Sequence, residues 1–488
     1  MSGPKTWQLT AGAAAIGLAL ATGAAALAGP WDSGQRTAER ARAASWDARG
    51  GAHHQRPADA DAPAPAPSAP SVLAALGAVG GAPVPAALPA ALAPLLADPA
   101  LGPHPAGSVL DTATGQVVYA SRADVAMTPA STTKIATATA VLTALPADHR
   151  FTTAVVAPAD GSALTLVGGG DPTLDRARLA ALADDTARAL LARSLDHVRL
   201  TYDASLFTGT AVHPIGPNEN LAPVVALMTD EGRTQLPAGS ADSAGSAGSA
   251  GSAGLSGAEE SGPGARTADP AGDTARAFAR LLRDRGVRAD DPVAGGRPAG
   301  ATTVASTRSA PLTEIVERML TESDNDIAEA LGRQTAIATG KPASFEGGAA
   351  AVAAQLAKAQ LPLNGSVFTD GSGLNRADRL TADLLTRLLA HAADPAHPEL
   401  RPILTGLPVA GFTGTLSTRY GTTSAATGLV RAKTGTLGGA GVNTLAGTVV
   451  DASGHLLAFA FLTAGTPGAD PAPAQRALDR LATRLAAH

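Results

Sequence analysis

The sequence predicts an α/β (α+β) chain. One antiparallel sheet flanked by helices is built from the first and last folded segments, and a smaller α+β region is inserted between them. Three observations lead there. A hairpin pattern stands near the start of the folded sequence, and two apolar strands followed by an amphipathic helix stand at its end. The stretch between about Arg150 and Ala268 has a strand and helix pattern of its own.

Taken in order, residues 1–28 read as an export segment. Lys5 precedes an uncharged apolar run from Leu9 to Ala28 that ends in Ala26-Leu27-Ala28, the small-residue pattern of a cleavage site. The run is also about 20 residues long, enough to cross a bilayer, so a cleaved signal and a retained membrane anchor are both open. Residues 29–91 read as a tether, first charged and then alternating Pro and Ala through Pro63, Pro65, Pro67 and Pro70. Such a composition favours extended chain and buries no core.

The catalytic body is assigned to residues 92–149 and 268–488. Ser108 to Tyr119 is a hairpin turning at Asp111 to Gly115, and a helix follows from about Ser131 to Leu145, opened by Pro129 with Ser131 or a neighbour as cap. Residues 150–267 are the insert, with strands at Thr152–Val156, Leu164–Val167 and Val198–Tyr202. Its helix at Asp175–Leu195 puts Leu179, Leu182, Leu190 and Leu191 on the apolar side. Within it, residues 237–265 form a Ser/Ala/Gly-rich loop that repeats Ser-Ala-Gly from Ser240 to Gly254, a flexible spacer. Strands at Val442–Val450 and Leu456–Thr463, joined at Asp451 to Gly454, return the chain to the first sheet. A last helix after Asp470-Pro471 shares Leu478, Leu481 and Leu485 on one face.

Composition narrows the function classes. The formal net charge is −5 with no basic block, which argues against nucleic acid and leaves small or peptidic substrates. There is no cysteine, so a disulfide scaffold, a Cys nucleophile and thiolate metal sites are excluded. The ten histidines show no ligand spacing on one helix, and His53-His54 falls in the tether; no metal and no cofactor are expected. Gly168 to Gly170 does not open a helix as a nucleotide loop does. Glu231 and Arg233, beside Thr229-Asp230, read as a surface cluster. Asp370 to Arg376 is either a structural turn or a rim of the active site, with the turn preferred.

Three motifs carry the chemistry, in one order: Ser131-Thr132-Thr133-Lys134, Ser323-Asp324-Asn325 and Lys433-Thr434-Gly435. Each alone is ordinary helix, turn or strand-end sequence. Together they suit acyl transfer. Three residues apart on a helix, Ser131 and Lys134 face the same way, and the helix N-terminus favours negative charge on Ser131. Lys134 acts as base only when neutral, which requires burial or a nearby cation, and Lys433 is a candidate for that cation. Ser323 can relay a proton between Lys134, Lys433 and a leaving amine. Asn325 has the donor and acceptor to grip a peptide bond, and Lys433 with Thr434 can hold a terminal carboxylate. The backbone N–H groups of Ser131 and Thr436, next to Gly435, are candidates for an oxyanion hole.

With these residues the chain resembles the class C low-molecular-mass penicillin-binding proteins, the D-alanyl-D-alanine carboxypeptidase/endopeptidase family. The likeness runs from Leu92 to the end. It includes Ala130 to Lys134 after Met127-Thr128-Pro129, Gly168 to Leu174, Asp370 to Arg376, and Gly414-Thr415-Leu416 ahead of Lys433. It implies a β-lactamase/transpeptidase-like domain, with a five-stranded antiparallel sheet and extra domains inserted between the first two motifs. It further implies a serine-type D-Ala-D-Ala carboxypeptidase that acts on peptidoglycan stem peptides through an acyl-enzyme on Ser131. The same site would cleave D-Ala cross-links as an endopeptidase, and β-lactams would be covalent inhibitors. Its place would be outside the cytoplasmic membrane, in the wall or anchored at the N-terminus. Two departures stand out: Asn375 where the family more often has Ser, and an insert that looks shorter than in the larger members.

Two other readings are weighed against this one. A class A β-lactamase needs a deacylating Glu in an E-x-x-x-N stretch, and neither Glu329 nor Glu346 has Asn at that spacing. A non-catalytic penicillin-binding or wall-binding sensor is opposed by the intact set of motif residues.

Overall fold

The computed structural model describes residues 87–158, 163–234 and 264–488, all within one compact unit, residues 75–488. The export segment, the tether as far as residue 86, and residues 237–263 of the Ser/Ala/Gly loop lie outside the described residues.

The body begins earlier than the composition suggested. Helix α1 (Leu88–Leu96) buries Leu88, Leu92 and Leu96 at four-residue spacing, so the tether's end at residue 91 is corrected. Pro89 hid it, yet proline is tolerated in a first turn, where the missing N–H has no partner to lose. The hairpin follows as β1 (Ala106–Asp111) and β2 (Val117–Ser121), with Asp111 accepting from the turn amides of Ala113 and Thr114. Helix α2 (Thr133–Ala144) is entered through a 3-10 turn, Ala130–Thr132, and is buried from Thr133 to Leu142.

The insert contains β3 (Thr152–Ala157), β4 (Ala163–Val167), α3 (Arg176–Leu191), β5 (His197–Asp203), α4 (Pro270–Asp284), β6 (Arg288–Ala289), β7 (Val293–Ala294) and β8 (Thr302–Arg308). Its sheet runs β6-β5-β4-β3-β8 with β7 beside β5. β3 is antiparallel to both neighbours, while β4, β5 and β6 are parallel. Leu164, Leu166, Leu179, Leu182, Phe278 and Leu282 share its core. The boundary at 267/268 is therefore wrong. α4 and β8 belong to the insert, and the chain closes it where Ser309 N donates to Phe151 O at 2.9 Å. The Ser-Ala-Gly repeat marked a loop within the insert rather than its end.

The body resumes with α5 (Leu312–Glu322), α6 (Asn325–Ala338), α7 (Phe345–Lys358), α8 (Ala382–Ala393), α9 (Arg401–Thr405), β9 (Val430–Leu437), β10 (Val442–Val450), β11 (Leu456–Thr463) and α10 (Ala472–Ala486). Its sheet is antiparallel and five-stranded, in the order β2-β1-β11-β10-β9. The alternation of a strand sorts β11 between two cores. Leu457, Phe459 and Phe461 face α1 and α10, while Ala458, Ala460 and Leu462 face the α2, α5 and α8 side. The fold class is the one expected: a sheet with helices on both faces, its edge strand β9 beside the start of α2.

Candidate active site

Ser131 lies in the 3-10 turn that feeds α2. One turn on, Lys134 is fully buried, and its Nζ donates to Ser131 Oγ at 3.0 Å. No side chain caps this helix, contrary to expectation: the residue at its N-cap is Thr132, whose hydroxyl donates to Pro129 O at 2.7 Å. Ala130, just before it, is held in left-handed backbone at φ 49, a conformation that costs an L-residue roughly 1–2 kcal/mol. Bare backbone presses on it from two sides. A Cβ on Gly373 would lie 1.9 Å from Ala130 O, and one on Gly435 would lie 2.8 Å from Pro129 O. Thr444 Oγ1 also donates to Pro129 O, at 2.9 Å.

The second motif gives three neighbours three tasks. Ser323 ends α5 in left-handed backbone, and its Oγ accepts from Lys433 Nζ at 2.8 Å. Asp324 turns inward to cap α6, accepting from Ile327 N at 2.8 Å. Asn325, the first residue of α6, accepts from Lys134 Nζ at 2.7 Å and donates through Nδ2 to Asn220 O at 3.0 Å.

The third motif lies on β9. Lys433 is fully buried and donates also to Thr434 O at 2.8 Å; Thr434 Oγ1 donates to Thr415 Oγ1 at 2.8 Å. Gly435 lies against Ala130, and Thr436 is exposed on the same edge strand. The predicted residues thus close a circuit from Ser131 through Lys134, Asn325, Ser323 and Lys433 back past Gly435 to Ala130. Ser323 joins it on the Lys433 side, not at Ser131.

Burial pushes Lys134 down to about 8, against the opposing pull of Asp370, Asp324, Glu329 and Asp326. Burial, and then the charge of Lys134, push Lys433 well below the usual lysine range. Burial is the main cause at both lysines, and the repulsion between them disfavours charge on both at once.

Sequence reasoning missed how the site is backed. The Asp370–Arg376 segment is a turn and also part of the site, since Ser372 O accepts from Lys134 Nζ at 2.9 Å. His213, from the insert, meets Asp370 at 3.0 Å with both side chains buried. Glu329 accepts from the amides of Gly371 and Ser372. His213, Glu329 and Asp370 bring ligand-type atoms within 4.8 Å of one another, but the protein's own hydrogen bonds already engage them. No one-helix spacing signals this group, because its members come from three separate parts of the chain. Glu231 and Arg233 are not at the surface. A left-handed turn at Asp230 to Gly232 buries Glu231, which pairs with Arg318 at 2.5 Å and Arg233 at 3.2 Å. Among the described residues no helix is long and apolar enough to cross a membrane.

A sequence model of the D-Ala-D-Ala carboxypeptidase 3 (S13) family matches residues 88–256 and 255–485. A carboxypeptidase of Mycobacterium tuberculosis is 36% identical over 412 residues, 80% of this chain and 81% of that protein. The carboxypeptidase DacB of Mycolicibacterium smegmatis is 37% identical over 412 residues, 80% and 82% of the two chains. The crystal structure of penicillin binding protein 4 from Haemophilus influenzae superposes with a TM-score of 0.66 at 23% identity, covering 82% of this chain and 99% of its own. That protein complexed with a β-lactam gives 0.63 at 21% identity with the same coverage.

Proposed function

The chain belongs to the D-Ala-D-Ala carboxypeptidase 3 (S13) family, and on that premise we propose that Ser131 is its acylated nucleophile, Lys134 its base and a peptidoglycan stem peptide its substrate. As a serine-type D-Ala-D-Ala carboxypeptidase it releases the terminal D-Ala. The observation that carries the assignment is the surroundings of Lys134 Nζ, sealed from solvent between Ser131 Oγ, Asn325 Oδ1 and Ser372 O. A neutral amine has two N–H donors and one lone pair. With Asn325 and Ser372 taking the donors, the lone pair faces the Ser131 hydroxyl.

In acylation, Lys134 takes the Ser131 proton as Oγ attacks the carbonyl of the penultimate D-Ala. The amides of Ser131 and Thr436 receive the oxyanion. Lys134 gives the proton up to the amine of the departing D-Ala, with Ser323, held by Lys433, as the proposed relay once substrate lies between them, and the C–N bond breaks. Thr434, with Thr415, offers hydroxyls to the substrate carboxylate. Lys134 then deprotonates a water that attacks the Ser131 ester, and hands that proton to Ser131 Oγ as the acyl C–O bond breaks, restoring the hydroxyl and the neutral amine. When the leaving amine belongs to a neighbouring stem peptide, the same steps cut a cross-link. A β-lactam enters by the same attack and stays as an ester on Ser131. Export is part of this proposal, supported by Lys5, the run from Leu9 to Ala28 and the tether.

Fluorescent penicillin and a D-Ala-D-Ala peptide test it. Wild type should label covalently, at a rate that rises as pH passes about 8, where Lys134 loses its proton. Ser131→Ala should neither label nor hydrolyse peptide. Lys134→Ala should label at least ~10²-fold more slowly. Labelling without peptide hydrolysis would favour a sensor, rapid loss of free penicillin a β-lactamase, and undiminished labelling of Ser131→Ala would end the assignment.

A further inference from the structure

The acceptors of Lys134 other than Ser131 both depend on one face of α6. Asn325 touches it directly. Glu329, one turn along, is 2% exposed and reaches it through the backbone. Glu329 Oε1 accepts from Ser372 N at 2.8 Å, and Oε2 from Gly371 N at 3.1 Å. From α2, Thr137 Oγ1 donates to Gly371 O at 2.6 Å. Gly371 has no room for a side chain, since a Cβ would lie 2.7 Å from Ala328 O. Asp370 ties down the far end, accepting from Gly373 N and Asn375 N, both at 2.7 Å, with His213 at 3.0 Å. The Ser372 carbonyl is left pointing at Lys134 Nζ.

We propose that Glu329 is a positioning residue for the reaction: by clamping the Gly371 and Ser372 amides it aims the Ser372 carbonyl at Lys134 and so turns the amine's lone pair toward Ser131. The proposal rests on the reading of Ser131 and Lys134 given above. The groups facing Glu329 are Asp370 on the turn, His213 on the insert, Arg333 on its own helix and Lys134 on α2. Burial, then the Asp370 charge, push Glu329 up to about 7, while hydrogen bonds from Ser372 and Gly371 oppose them. Both Glu329 oxygens accept backbone N–H groups, the pattern of a charged carboxylate, and that charge holds the proton on Lys134.

The test is the rate of penicillin acylation against pH for the full chain, Glu329→Gln and Glu329→Asp, with melting temperatures alongside. Glu329→Gln removes the charge and one amide acceptor. Its midpoint should move to lower pH and its limiting rate should fall roughly 10- to 100-fold, the scale of a misplaced reacting group. Glu329→Asp keeps the charge and withdraws it by one methylene, so the midpoint should stay and the rate fall. A merely structural Glu329 would lower the melting temperature and the labelled fraction, leaving midpoint and rate per labelled molecule at wild-type values; that result overturns the proposal. If Glu329→Gln does not fold, a wild-type rate in folded Glu329→Asp overturns it equally. Wild type that does not label would instead remove the acylation reading, and this inference with it.

Discussion

Asp370 and Asp378 lie together beneath the turn that carries Ser372, and burial divides one charge between them. Burial works against Asp370, but hydrogen bonds from His213, Asp378, Gly373 and Asn375 outweigh it and hold its carboxyl below the usual range. Asp378 is pushed up to about 9 by burial and by the Asp370 charge. Its Oδ1 still accepts from Thr369 N at 2.6 Å, so at neutral pH Asp370 is the ion and Asp378 the protonated partner. Asp378→Asn, whose amide reproduces that donor, should be no less stable than wild type at pH 7. Asp370→Asn should cost roughly 3 kcal/mol, having left buried donors without their ion. Urea unfolding measures both, and equal losses would reverse the assignment. The sign with pH follows from the raised value. Asp378 keeps a proton that the unfolded chain loses near 4, so its contribution is fully present below that pH and is lost as pH rises to about 9. Asp378→Asn should therefore gain on wild type across that window. Neither residue is legible from spacing, because the partner that makes Asp370 the ion is His213, 157 positions away.

Elements were legible where their period was clean. β10 and β11 run Val442–Val450 and Leu456–Thr463, as the apolar runs indicated. The insert's first helix stops at Leu191, short of Leu195, because Ser194 turns left-handed at φ 59 and Leu195 N donates back to Leu190 O at 3.0 Å. That is a hydrogen-bonded helix end with its apolar residue folded onto the core. Glycines that let elements touch carry no such pattern. Gly373 has φ +82 and would place a Cβ 1.9 Å from Ala130 O, whereas Gly340 has φ +71 with nothing near. Gly340→Ala should show only the strain of left-handed backbone, roughly 1 kcal/mol, and label at the wild-type rate. Gly373→Ala should lose more stability and label more slowly, because it moves the turn before Ser131. Equal melting temperatures and rates for the two would mean that the contact does not position the nucleophile.

At the scale of the molecule, the insert is part of how the site is held. Asn220 O receives Asn325, Ala222 N donates to Asp326 at 2.9 Å, Arg266 pairs with Asp326 at 3.1 Å, and Glu231 meets Arg318. A region read as a spacer-bearing domain ending at 267 instead runs to about Ser309 and braces both helices of the second motif. The proposed export rests on Lys5 and the apolar run from Leu9 to Ala28. A full chain carrying its own N-terminus should be recovered outside the cytoplasm. Intact mass then separates cleavage after Ala28 from a retained anchor, and full-length chain left soluble in the cytoplasm would end the export proposal.

The sequence alone determined the family likeness, the antiparallel sheet with an α+β insert and the three motifs, because spacing on one helix or strand sets local chemistry before the chain folds. Ser131 and Lys134 meet through helical pitch and need nothing distant. Only the tertiary structure decided what would let Lys134 act as the proposed base: complete burial, and a Ser372 carbonyl that Glu329 and Asp370 hold in place from behind. Burial and long-range hydrogen bonding are properties of packing between segments far apart in the chain, and no local pattern of residue types encodes them.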